Sequence, residues 1–181
     1  MSFKPHKNGG GLVEDTAYVA RTAYVGKYAV VKDKARVLDN ARIDDFARVF
    51  GDALVFGNAY VYGHAMVYGL ARISGSAHVY DSAHVYDSAH IFAYAKVYGR
   101  AHVYGRALVS GFAQLTLDSD SAIGSEVFDD AHIFGRARVE DTARVYDTAR
   151  VYDCAHVFGI AEVFGNAEVY DAEVSGDDSI S

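Results

Sequence analysis

Small and aliphatic residues alternate with polar ones along this chain in a rhythm of six. Alanine stands at position 17 and at every sixth position after it without a miss to 113; the register passes through Ser119 and Ser125 and resumes from Ala131 to Ala167. Two residues after each of these positions lies Val or Ile, from Val19 to Val169, with Leu115 and Ser121 the only departures. Ser76–Phe92, SAHVYDSAHVYDSAHIF, shows the unit most plainly: a small residue, a polar one, an aliphatic, an aromatic, Asp or Gly, and a polar turn residue. Such fixed-period self-similarity marks a repeat architecture.

The spacing predicts strands. The small residue and the aliphatic are two apart, so they share one face of an extended segment. A period of six matches no helical repeat, because a helix would carry these positions around its circumference. β-branched Val favours strand, and the Gly, Asp, Asn and Ser that follow supply a turn. Each hexad is therefore one short strand plus one corner, which cannot bury a face alone and must stack. A single proline and the lack of tryptophan suit a fold that needs its backbone N–H groups for pairing.

The spacing of the aliphatic and, four residues on, the next alanine resembles the hexapeptide-repeat proteins. The resemblance covers about nine-tenths of the chain by the repeat count and implies an all-β fold, a left-handed parallel β-helix of triangular section with three hexads to a coil. The left hand is carried by the resemblance alone and runs against the usual crossover rule. About 27 hexads, residues 11–172, then make about nine coils and a prism some 43 Å long at ~4.8 Å per stacked strand. One residue is lost near Ala172, where Ala172 and Val174 restart the pattern. The expected organisation is a lead or cap over 1–10, the β-helix over 11–174, and an acidic tail over 175–181. The opening HKNGGGLVEDTAYVARTAYVG is similar to a subgroup of hexapeptide proteins outside the named enzymes.

With 18 residues to a coil, sequence converts into surface columns. The slot between Ala and Val points outward and carries Arg36, Arg42 and Arg48 in one coil, His78, His84 and His90 in another, and Arg138, Arg144 and Arg150 further on. Each trio occupies three faces and does not converge. The corner slot holds 16 of the 24 Tyr and Phe residues. One column runs Tyr62, Tyr80, Tyr98 and another Phe50, Tyr68, Tyr86, Tyr104. These rows are read either as ladders that stabilise the stack or as a strip that binds a protein partner, a glycan or a second copy.

The net charge of −7 lacks the basic footprint of a nucleic-acid binder. No apolar run approaches a membrane span, and Met1–Gly10 has no signal-peptide core. The single cysteine, Cys154, excludes an internal disulfide and makes a cytoplasmic address the default.

Candidate chemistry is sparse. Gamma-class carbonic anhydrases place three converging His on the resembled fold, but the six-residue His spacing here sends neighbours to different faces. His84 and His102 share a column and form a weak metal pair that no carboxylate joins; no metal and no cofactor is expected. His132 and His156 read as isolated. An acyltransferase of the resembled family works as a trimer with a catalytic His near an inserted loop. The break at Leu115–Glu126 contains no His, keeps the register on both sides and is read as adding no net residues. Its Asp118, Ser119, Asp120 and Ser121 form no nucleophile–base set. The expectation is a non-catalytic scaffold or interaction module with a protein partner or itself, able to self-assemble through its open strand edges. The alternatives are the trimeric acyltransferase and an inhibitor-type rod.

Overall fold

The computed structural model describes residues 2–116 and 124–181. These residues form a triangular parallel β-helix of about nine coils, built from three sheets of eleven, nine and nine strands. The first strands are β1 (Phe3–Pro5), β2 (Leu12–Glu14), β3 (Tyr18–Val19) and β4 (Tyr24–Val25). The last three make the first coil, and each founds one sheet, named below by that strand. Later strands follow in rotation, so residues 18 apart pair: Tyr60 with His78, and Met66 with His84.

Pairing is what makes two-residue strands viable. The N–H of an outward residue donates to the carbonyl of the small-slot residue one coil on, in most coils an alanine, as Tyr60 does to Ala77 at 2.9 Å. The aliphatic residue and the small one face inward, and every residue in those two slots from Ala23 to Leu115 is fully buried. The same holds on the far side of the break from Val127 to Val163. The core is a narrow stack of Ala and Val, with Ile43, Ile73, Ile91, Ile133 and Leu115 in the same aliphatic slot, and each buried Val contributes about 1.5–3 kcal/mol.

The corners explain the Asp and Gly of the repeat. The residue two after the aliphatic takes a positive φ in coil after coil: ten aspartates and Ala93 lie between 45° and 59°. Glycine is free there, and aspartate tolerates that region better than most residues. The aspartates also form bonds between coils. The carboxylate of Asp39 accepts the N–H of Gly57 at 3.0 Å, and Asp141 and Asp147 do the same for Gly159 and Gly165 at 3.1 and 3.0 Å. Asp below Gly is thus a matched pair, which the repeat alone did not reveal.

The break at Leu115–Glu126 corrects the expectation of no added residues. His102 pairs with Glu126, a step of 24 residues in place of 18. One whole hexad is inserted between Gln114–Leu115 in the β4 sheet and Glu126–Val127 in the β2 sheet. The six-residue register survives because the insertion equals one period. Asp118, Ser119, Asp120 and Ser121 lie outside the described residues. The single-residue loss is where the sequence places it: His156 pairs with Glu173, a step of 17.

The first coil is partly covered. β1 runs antiparallel to β2, pairing Phe3 with Glu14. Asn8 and Gly11 then close the edge of β4, through Val25 N–H to Asn8 O at 3.0 Å and Gly11 N–H to Val25 O at 2.9 Å. At the other end Ser179–Ile180 pairs with Glu162–Val163 and extends the β2 sheet. Among the described residues no helix is long and apolar enough to cross a membrane.

Corner chemistry gives a direct test. Asp147→Ala, which keeps a Cβ at positive φ and loses the carboxylate, is expected to lower unfolding free energy by about 1–3 kcal/mol in urea melts. Asp147→Gly loses only the hydrogen bond and is expected to cost less than the alanine variant. Equal costs would refute the strain part of the account.

Candidate functional site

The corner slot follows the aliphatic residue directly, so its side chain leaves the prism where the chain bends. Stacking of coils then places successive corner residues face to face. Tyr62, Tyr80 and Tyr98 stack at 4.8 Å with rings within 3° of parallel. Phe50, Tyr68, Tyr86 and Tyr104 stack at 4.8, 5.0 and 4.9 Å. Both columns expected from the sequence therefore exist as rows of rings. The second is longer than expected, continuing through Phe128, Tyr146 and Phe164 at 4.9, 5.0 and 5.3 Å. Sequence reasoning missed these three because a strict step of 18 from Tyr104 lands on position 122; the inserted hexad moves the partner to Phe128.

Further stacks lie beside these rows, among them the exposed pair Tyr94 and Phe112 at 5.1 Å. Phe134, Tyr152 and Tyr170 stack at the corner between the β3 and β4 sheets. Tyr28, Phe46 and His64 stack at 5.2 and 5.1 Å from the turn slot beside the Tyr62 row. Tyr28 is 58% and Phe46 52% exposed, whereas rings of the long row are half-buried. Cations brace the rows at intervals: Lys32 lies 5.0 Å from the centre of Phe50, and Arg144 lies 5.2 and 5.4 Å from Phe128 and Tyr146.

The central phenols of these rows are neutral at physiological pH. Burial, then the neighbouring Tyr104 and Tyr68 and the carboxylates of Asp87 and Glu126, push Tyr86 up to about 12. Tyr80 is raised by burial and by Tyr98 and Tyr62. Ring stacking therefore yields uncharged strips that show their edges to solvent, with hydroxyls as the polar component.

The outward slots behave differently from the corners. His78, His84 and His90 lie in three different sheets, as their spacing implies. Along a column, however, charges do meet. Arg144 donates from Nε to Glu126 at 3.2 Å and from Nη1 to Glu162 at 3.0 Å, one coil to each side. His156 is not isolated: its Nε2 lies 2.8 Å from Glu140, whose other oxygen accepts from Arg138. Glu140 is only 7% exposed and occupies a corner slot in the column of the Tyr62 row, beyond its last ring at Tyr98. The sequence signal was present, since an acidic residue stood in an aromatic slot 16 residues before a histidine.

His84 and His102 do stack, with ring centres 4.9 Å apart. Their column is joined by a carboxylate after all, because the inserted hexad brings Glu126 beside His102. That carboxylate is engaged by Arg144. Among the described residues no three His, Cys, Asp or Glu are grouped to hold a metal ion. Thr116 and Ser125, on either side of the insertion, have buried hydroxyls without a hydrogen-bond partner among the described residues. Cys154 is exposed.

A comparison with protein-family models and with curated proteins finds no match to the chain.

Burial holds His78, His84 and His90 below the ordinary histidine value, with repulsion from Lys96, His102 and Arg72 respectively adding to it. The unfolded chain therefore binds protons first, so stability is complete above the ordinary value of 6.5 and falls as pH drops below it. The melting temperature is expected to decline between pH ~7.5 and pH ~5, and less so in a His78→Gln, His84→Gln, His90→Gln variant. An equal decline in both proteins would refute the assignment.

Proposed function

We propose that the protein is a non-catalytic β-helical scaffold of the hexapeptide-repeat type, and that its aromatic rows are the surface that binds a protein partner. The observation that carries this reading is the seven-ring row from Phe50 to Phe164, which runs along one edge of the prism. Aromatic residues are enriched where protein surfaces meet, because they bring large contact area with few rotatable bonds. A rigid prism holds the rings in place before any partner arrives, which lowers the ordering cost of association. The acidic net charge of −7 supports a protein partner over nucleic acid. A cytoplasmic address is part of the proposal and rests on the lone, exposed Cys154.

The test separates binding from stacking. Tyr68→Ser and Tyr86→Ser remove two rings from the middle of the row, while Tyr68→Phe and Tyr86→Phe keep the rings and lose only hydroxyls. A partner captured by the parent protein and identified is titrated against each. The serine variant is expected to bind at least about tenfold more weakly and the phenylalanine variant within about threefold, with all variants folded by circular dichroism. Unchanged binding in the serine variant, with only a lower melting temperature, would leave the rows a purely stabilising feature.

A further inference from the structure

The N-terminal end of the prism is closed over two sheets and open over the third. β1 covers the β2 sheet, and Asn8 and Gly11 cover β4. On β4 three backbone groups that point away from the second coil are all satisfied: Val25 N–H by Asn8 O, Val25 O by Gly11 N–H, and Ala23 O by the Asn8 side chain at 3.0 Å. The equivalent groups on β3 are Val19 N–H, Val19 O and Ala17 O. No hydrogen bond among the described residues reaches them, and β3 ends its sheet. Above this edge lies a cavity of about 650 Å³. Val13, Ala17 and Val19 give it an apolar floor, and its charged lining is Lys4, Lys7, Glu14, Asp15 and Arg21. Lys4 is paired with Asp15 at 2.7 Å and Glu14 accepts the Asp33 N–H at 2.7 Å, so Lys7 and Arg21 are the lining cations with no carboxylate partner among the described residues. These three floor residues are only partly buried, while their counterparts one coil on are fully buried. The notch is one strand wide, so the flanking cover keeps a second prism from stacking flush upon it.

The same chain carries a segment with complementary needs. Residues 175–181 include Asp177 and Asp178, which meet no cation among the described residues. They lead into Ser179–Ile180, a strand of two exposed residues held on one side only. Ile180 leaves 36% of its surface in water. We propose that this segment of one copy leaves its own sheet and adds to the open edge of β3 in a second copy. Backbone bonds given up against Glu162–Val163 are replaced in kind by the bonds to Val19 and Ala17. Ile180 likewise exchanges its place beside Val163 for the apolar floor of the notch, and the added contact is the approach of Asp177 and Asp178 to Lys7 and Arg21. The segment cannot reach its own notch: nine coils separate the ends by about 43 Å, and seven extended residues span at most ~25 Å. The exchange is therefore intermolecular and head-to-tail, and it propagates without closing. It uses a surface separate from the aromatic rows, so either proposal can fail alone.

The test uses the full chain with two complementary lesions. Lys7→Glu with Arg21→Glu spoils the notch and leaves the donor segment, and Ile180→Asp spoils the donor and leaves the notch. Light scattering coupled to size exclusion is expected to show the parent protein growing in mass with concentration at low salt, and each variant remaining a monomer. Mixed in equal amounts, the two variants are expected to form a dimer and nothing larger, because only one productive pairing remains. A parent protein that stays monomeric at all concentrations would overturn the proposal. So would variants that still assemble alone, or a mixture that stays monomeric while both variants keep the parent's circular dichroism. If Tyr68→Ser and Tyr86→Ser abolish assembly instead, the contact belongs to the aromatic rows and the exchange is wrong.

Discussion

The corner residue with positive φ is the constraint on which the rest of the molecule depends. A coil closes only if the chain bends after every few residues, and each bend needs a backbone region that most side chains avoid. Aspartate and glycine meet that demand at nearly every described corner, and Ala93 is the lone exception among the non-glycines. Once the bend recurs every six residues, alanine and valine have no choice but to face inward and the corner aromatic no choice but to stack on its neighbour. The ring spacing of 4.8–5.4 Å in the rows is the strand spacing of the ladder made visible in side chains.

A solenoid of this kind separates its interior from its surface more sharply than a globular domain does. The interior is almost uniform, and the surface is a set of columns in which each residue meets mainly the one above and the one below. Charged columns resolve into neighbours of opposite sign, as with Glu126, Arg144 and Glu162. Exposed pairs of this sort contribute little individually. Aromatic columns instead create continuous uncharged strips. Any partner that reads the prism along its length meets those strips, while one that reads its end meets an open strand edge at β3.

The inserted hexad shows how a periodic chain hides a change of architecture. An insertion of one full period leaves every later alanine and valine in phase, so the linear pattern marks it only by the drifted slots at Leu115, Ser119, Ser121 and Ser125. Its effect appears only in three dimensions, where every column beyond it is displaced by one hexad. Phe128 rather than position 122 continues the long row, and Glu126 stands beside His102. The pairing of Glu140 with His156 likewise depends on the register of stacked coils, although Glu140 was visible in a slot where it broke the local rule.

The chain's own order of residues determined the strand, the corner, the inward stripe and the two rows of rings, because all four follow from a short-range period that local geometry converts directly into direction. The tertiary structure decided what lies beside what across coils: the length of the long row, the partner of His156, and the aspartate-to-glycine bonds that tie one corner to the next. It also decided which edge the N-terminal segment leaves open. That last outcome turns on how Asn8 and Gly11 lie against Val25 and not Val19, a matter of placement between segments that periodicity does not encode.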